Sequence, residues 1–244
     1  MRKNSNHKGE TLFLMSEILK KIKTRGYWEV LIQPNRFVEN LVESLAKCKE
    51  IMREVSVRLR GWDYPFYNTN NPPTTGLNCI EQSLDWEYIL EFWRYYQSGQ
   101  FIHFFGMIED WQDQARRIDK INLTTIPSLA IISALYKFTE IYEFASRLAA
   151  KGLLGDECKI SIILHSTKNR QLVMLDLRRH LFGKYKSELD SIPREISIST
   201  ADLMAKSAEL SLDHTIWVFQ RFNWDNPSRS VLLEDQKKLL KGML

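Results

Sequence analysis

The chain has 244 residues, 44% of them apolar, with 10 Gly and 7 Pro, enough hydrophobic material for a real core and little for long loops. Its 34 basic and 30 acidic residues leave a net charge of +4, too mild to argue nucleic-acid binding from charge alone. Cys48, Cys79 and Cys158 are scattered and odd in number, with no CxxC or Cys/His cluster, which excludes a disulfide framework and a zinc site and fits a reducing compartment.

The polar start MRKNSNHKGE and the short, interrupted LFLMSEIL after it suit neither a signal peptide nor a membrane span, so a soluble cytoplasmic protein without a membrane partner is expected. Leu12, Met15, Leu19 and Ile22 then share one side of a short amphipathic helix over 11–24. Tyr27 to Gln33 alternates, with Trp28, Val30 and Ile32 on one face, and predicts a strand stopped by Pro34. Asn35 is the expected cap of a five-turn helix running to Val55, its stripe built from Val38, Leu41, Val42, Leu45, Cys48, Met52 and Val55. From Val55 to Trp62 the period switches to two, which places Arg58, Arg60 and Trp62 in one row of a strand. Two guanidiniums beside an indole can hold an anion; the alternatives are a solvated face or pairing with Glu81 and Asp85.

Residues 63–78, rich in Asn, Pro and Thr, form the longest loop, and Cys79 to Trp86 reads as a strand. The densest aromatic run follows, EFWRYYQSGQFIHFFGM over 91–107. Helical spacing also fits 87–97, but the aromatic content and the Ser98-Gly99 break favour a β-hairpin with those two residues as its loop. Arg94 then faces His103, and Phe92, Arg94, Tyr96, Phe101, His103 and Phe105 share a face, with Trp93, Tyr95, Ile102 and Phe104 on the other. Both faces are apolar, so the hairpin is expected to be central and covered on both sides. The Arg94–His103 pair would suit an anion, or an internal acid such as Glu91.

Glu109, Asp110 and Asp113 can bind a divalent metal or simply begin a helix. Residues 126–154 carry the longest helical stripe, from Leu129 to Ala149, ended by Gly152 and Gly155. Cys158 to Asp176 reads as strand, polar turn near Lys168-Asn169, strand; 178–194 is basic and irregular, with Arg178, Arg179, His180, Lys184 and Lys186 able to touch phosphate or to form a solvated linker. A strand over 196–200, a helix capped by Thr200 and a last helix over 230–241 complete the chain. The sum is a mixed α/β (α+β) fold: a largely antiparallel sheet with a central aromatic hairpin, covered by amphipathic helices. One domain over 1–244 is expected, with a sub-boundary near 155 between a hairpin-bearing core, 1–155, and a strand pair plus C-terminal helices, 156–244.

The segments YWEVLIQP (27–34), RLRGWDYP (58–65) and WRYYQSGQF (93–101) resemble a poorly characterised prokaryotic family over about residues 25–150. Some members join a Schlafen-type AlbA domain, a DNA- or ATP-binding module for which this chain has no obvious room. The resemblance implies a prokaryotic, intracellular regulatory or defence setting and carries over no catalytic residue and no cofactor. No phosphate-cradling Gly loop, HExxH, GxSxG or Cys-nucleophile context occurs in the sequence, so whether the chain is an enzyme stays open. The leading reading is a binding or regulatory module in which Arg58, Arg60, Trp62, Arg94 and His103 receive a nucleotide or nucleic-acid phosphate. The other readings are an assembly subunit that pairs with itself or a protein partner, and a metal-dependent nuclease.

Overall fold

The computed structural model describes residues 17–112, 126–176 and 178–243. In chain order the elements are α1 (Glu17–Ile22), β1 (Tyr27–Pro34), α2 (Leu45–Val55), β2 (Val57–Arg58), β3 (Asp63–Tyr64), β4 (Thr74–Thr75), β5 (Cys79–Trp86), β6 (Ile89–Tyr96), β7 (Phe101–Gly106) and α3 (Ile108–Trp111). They continue with β8 (Ser128–Ala130), α4 (Ile131–Ala150), β9 (Glu157–His165), β10 (Gln171–Val173), β11 (Ser191–Ser199), α5 (Thr200–Gln220) and α6 (Arg229–Leu240). A seven-stranded sheet runs β11-β9-β1-β7-β6-β5-β4, antiparallel throughout, with β6 and β7 well inside it. The expected α+β class therefore holds, and the sheet draws strands from both sides of residue 155. None of the helices among the described residues is long and apolar enough to cross a membrane.

One face of the sheet is a near-continuous apolar layer. Register places Leu164, Trp28, Phe105 and Glu91 side by side across β9, β1, β7 and β6; Ile162, Val30, His103 and Trp93 form the next row, and Ile160, Ile32, Phe101 and Tyr95 the third. Apart from Glu91 and His103 these are apolar or aromatic, and all are buried. Helix α4 lies against this layer and is buried almost all round, with Leu135, Phe138, Ile141, Phe144 and Ala145 inside it. A helix covered that completely has little solvent face on which to place its polar residues. On the other face of the sheet, Leu19 and Ile22 of α1 pack on Leu90 and Phe92.

The register of the aromatic hairpin differs from the expected one by a single residue. Tyr95 pairs with Phe101 and Trp93 with His103, because the loop holds three residues, Gln97 to Gly99, closed by Tyr96 N to Gln100 O (2.9 Å). Gly99 sits at φ +82°, the left-handed position that ends a three-residue hairpin loop. Since strand side chains alternate, the slip moves Arg94 to one face and His103 to the other. Arg94 faces Ile102 and Glu81.

Other boundaries shift for local reasons. The helix expected from Asn35 begins only at Leu45, where the Ser44 hydroxyl accepts the Lys47 N–H (3.1 Å); Val42 N is instead taken by Gln97 O (2.8 Å), which holds this stretch to the hairpin loop. The strand expected over 55–62 lasts two residues, since Gly61 at φ +75° folds it back into β3. Strand β10 does not return beside β9; it pairs in parallel with β8. The cap of α5 is Ser199 rather than Thr200, its hydroxyl accepting the Asp202 N–H (3.1 Å).

Candidate functional site

At one end of the sheet, the end of β7 and the start of β6 diverge under the first turns of α4 and leave a cleft of about 280 Å³. Trp28, Phe105 and Leu129 form its apolar wall, Trp62 and Tyr88 add aromatic surface, and Glu91, Glu109, Lys137, Ser133 and Arg60 supply its polar groups. The short β2–β3 hairpin brings Arg60 and Trp62 here. The chain beyond it is held by β6: Phe66 N donates to Glu91 Oε2 (3.3 Å), and Phe66 O accepts Trp93 Nε1 (2.8 Å).

Glu91 is the deepest carboxylate of the cleft, 3% exposed. Its row neighbour is Phe105, and the diagonal neighbour is His103, whose Nε2 lies 3.3 Å from Glu91 Oε2, a close polar contact rather than an aligned hydrogen bond. His103 Nδ1 lies 3.3 Å from the Tyr64 hydroxyl. Burial works against charge on Glu91, yet His103, Lys137 and the Phe66 N–H together hold the carboxyl below its usual value. Burial pushes the His103 ring down and Lys137 adds to this, only partly offset by Glu91, so the pair is read as carboxylate and neutral imidazole. The Tyr64 hydroxyl is driven well up by burial and by Glu91 and Glu140, and stays protonated. One tautomer fits these contacts: Tyr64 O–H donating to Nδ1, with Nε2–H on the side of Glu91 but not aligned with it.

Glu109 behaves oppositely. Burial raises its carboxyl and Asp110 adds to this, against the Ala130 N–H it accepts (2.8 Å) and the Arg170 charge. Asp110 itself is consumed: Arg170 Nη1 and Nη2 donate to its two oxygens (2.8 and 2.6 Å) and Gly26 N to Oδ2 (2.8 Å). That leaves no open carboxylate pair for the metal reading, Asp113 lies outside the described residues, and no metal-holding group of three or more His, Cys, Asp or Glu occurs among the described residues.

The five residues singled out from sequence do not form one surface. Arg58 is clasped by Asp63 through two hydrogen bonds (2.7 and 3.0 Å) and is largely exposed. Arg60 makes two to Glu140 (2.8 and 2.7 Å) through Nε and Nη2, which leaves Nη1 unclaimed among the described residues. Arg94 pairs with Glu81 (2.5 Å) on the opposite face from His103. Trp62 does reach the cleft, but Phe66 (5.0 Å between ring centres) and Trp86 (5.6 Å) already stack on it, while its Nε1 is buried without a partner among the described residues. The structure thus brings Arg60, Trp62 and the Glu91-linked His103 to one place and leaves Arg58 and Arg94 out. Tyr64, Lys137, Glu140 and Glu109 complete the site; of these only Glu109 is singled out by the sequence, as part of the acidic group after the hairpin.

Around α4 the cleft adjoins a wider groove of about 570 Å³, which shares Arg60 and Ser133 with it. Arg60, Arg178, Arg179 and Lys238 face the groove against Asp176 and Asp235. Asp235 clasps Arg179 (2.5 and 2.8 Å), whereas Arg178 stands 91% exposed beside Asp176. Comparison with protein-family models, with curated proteins and with solved structures finds no match.

Proposed function

We propose that this chain is a binding module for a small phosphorylated ring compound of the nucleotide class. The ring lies against the Trp28–Phe105 wall of the cleft, and the phosphate reaches toward Arg60 Nη1, Arg178 and Lys238. The observation that carries this reading is the adjacency of an apolar, aromatic cleft and a groove with four cations and two carboxylates, joined at Arg60 and Ser133. Ligand sites are typically of this kind, apolar concavities with a few convergent polar groups. A pocket of this size suits one nucleotide rather than a polymer, whose recognition calls for a longer basic track.

Calorimetric titration with AMP and GMP and with the matching nucleosides tests it. Nucleotides are expected to bind more tightly than nucleosides, and Arg178→Glu with Lys238→Glu to remove the difference. Ser133→Trp, which fills the junction, is expected to abolish binding while the fold persists by circular dichroism. Equal affinity of wild type and Ser133→Trp would refute the assignment.

A further inference from the structure

Ligand binding alone does not account for two carboxylates in the cleft. Glu91 is almost fully buried, yet its Oε1 accepts no hydrogen bond among the described residues, while Oε2 meets Phe66 N and the His103 ring. Glu109, entering from α3, uses Oε1 on Ala130 N, and its Oε2 has no hydrogen-bond partner among the described residues. The buried, unpartnered Trp62 Nε1 borders the same space. Buried polar atoms are rarely left unsatisfied, and an orphaned indole N–H beside two carboxylate oxygens that open on the same cavity marks a place a ligand completes. The two acids also differ in surroundings. Lys137, His103 and a backbone N–H favour the charged form of Glu91; burial and the neighbouring Asp110 favour the neutral form of Glu109, with Arg170 turned toward Asp110. Two carboxyl groups lining one cleft, one held charged and the other favoured neutral, can serve as the carboxylate and the acid of glycosidic bond cleavage.

We infer that the cleft hydrolyses the N-glycosidic bond of a purine nucleoside 5′-monophosphate, with Glu109 as the acid and Glu91 as the carboxylate beside the sugar. This rests on the nucleotide reading above, which places the ribose between the base wall and the basic groove. The C1′–N9 bond breaks with its electron pair going to the purine, and the Glu109 proton is delivered to the departing base. Glu91 steadies the positive charge developing on the sugar. Water adds to C1′ and gives its proton to Glu91. The products are free purine and ribose 5-phosphate; the proton returns to Glu109 through solvent, and no redox partner is involved. Tyr64 and His103 are positioning residues that hold Glu91.

Chromatography of AMP, GMP and IMP incubated with the full chain reads the release of base. Wild type is expected to release it, and Glu91→Gln and Glu109→Gln each to slow release by about 10²- to 10⁴-fold while still binding the nucleotide. With 4-nitrophenyl ribofuranoside 5-phosphate, whose leaving group needs no proton, Glu109→Gln is expected to retain turnover and Glu91→Gln to lose it. Base release unaffected by both substitutions overturns the inference, as does wild type that binds nucleotides and returns them intact. That last outcome leaves the binding reading standing; failure of wild type to bind any nucleotide removes both.

Discussion

Replacing Arg60 by Ala separates a structural clasp from a ligand-binding cation. Glu140 is 2% exposed at its side chain and lies on a helix packed on nearly every side, and its two oxygens take Arg60 Nε and Nη2. Removing one member of a buried ion pair typically costs about 3–5 kcal/mol, because the other charge is stranded. Two features reduce this here: Arg60 is 26% exposed, and Lys137 Nζ stands 3.7 Å from Glu140 Oε2. A loss of about 2–3 kcal/mol is therefore expected for Arg60→Ala, or a fall in Tm of about 5–10 °C for a domain of this size. Urea unfolding of wild type, Arg60→Ala, Glu140→Leu and the double variant forms the cycle. The double variant is expected to be more stable than Arg60→Ala, with a coupling of about 2 kcal/mol. If Arg60→Ala unfolds within about 0.5 kcal/mol of wild type and the two changes simply add, the clasp does not hold Glu140 and the guanidinium belongs to the ligand alone.

Acid sensitivity should centre on His214, whose Nδ1 lies 2.9 Å from the Tyr142 hydroxyl and whose ring burial, helped by Arg194, pushes down to about 3. The folded protein then binds fewer protons than the unfolded chain below about pH 6.5, so stability drops as pH falls, by about 1.4 kcal/mol per unit for this group. Denaturant midpoints at pH 6 and pH 5 are expected to differ less in His214→Gln by that amount; an unchanged slope refutes the reading. At the hairpin loop, a Cβ on Gly99 would sit 2.6 Å from the Leu153 carbonyl and 2.9 Å from Leu41 Cδ2, at a φ of +82°. Gly99→Ala is expected to lose at least about 2 kcal/mol from left-handed strain and the carbonyl clash together, and a midpoint equal to wild type would contradict the three-residue loop.

What the sequence made legible follows from periodicity. The alternation in YWEVLIQP places Trp28, Val30 and Ile32 inward along the whole of β1, and 3%, 0% and 0% exposure confirms that face. The aromatic run gave two central strands for the same reason. Its register was not legible, because two-residue and three-residue loops both fit QSGQ, and only the backbone of Gly99 decides between them. Moving one residue changes every cross-strand pair, so the Arg94–His103 partnership disappeared together with the face it implied. The Arg58, Arg60, Trp62 row failed for a related reason: alternation assigns one face only while the strand continues, and Gly61 bends it after two residues. Glu140 stands 80 positions from Arg60, a distance across which no local pattern operates.

The cationic-aromatic alternation is therefore largely a product of folding. Arg58, Arg60 and Arg94 each have an acid whose placement follows from strand register or helix packing, and a guanidinium whose charge is matched by an internal carboxylate has less to offer an anion. The acids of the cleft are in the reverse position. Glu91 enters an apolar row between Phe105 and Leu84, where desolvation opposes its charge, and of the groups that outweigh this, Phe66 N and the His103 ring approach Oε2. Replacing Glu91 by Leu would relieve that desolvation and strand no charge, only the Phe66 N–H and a neutral His103. Oε1 accepts no hydrogen bond among the described residues, and it is the atom that the proposed ligand would meet.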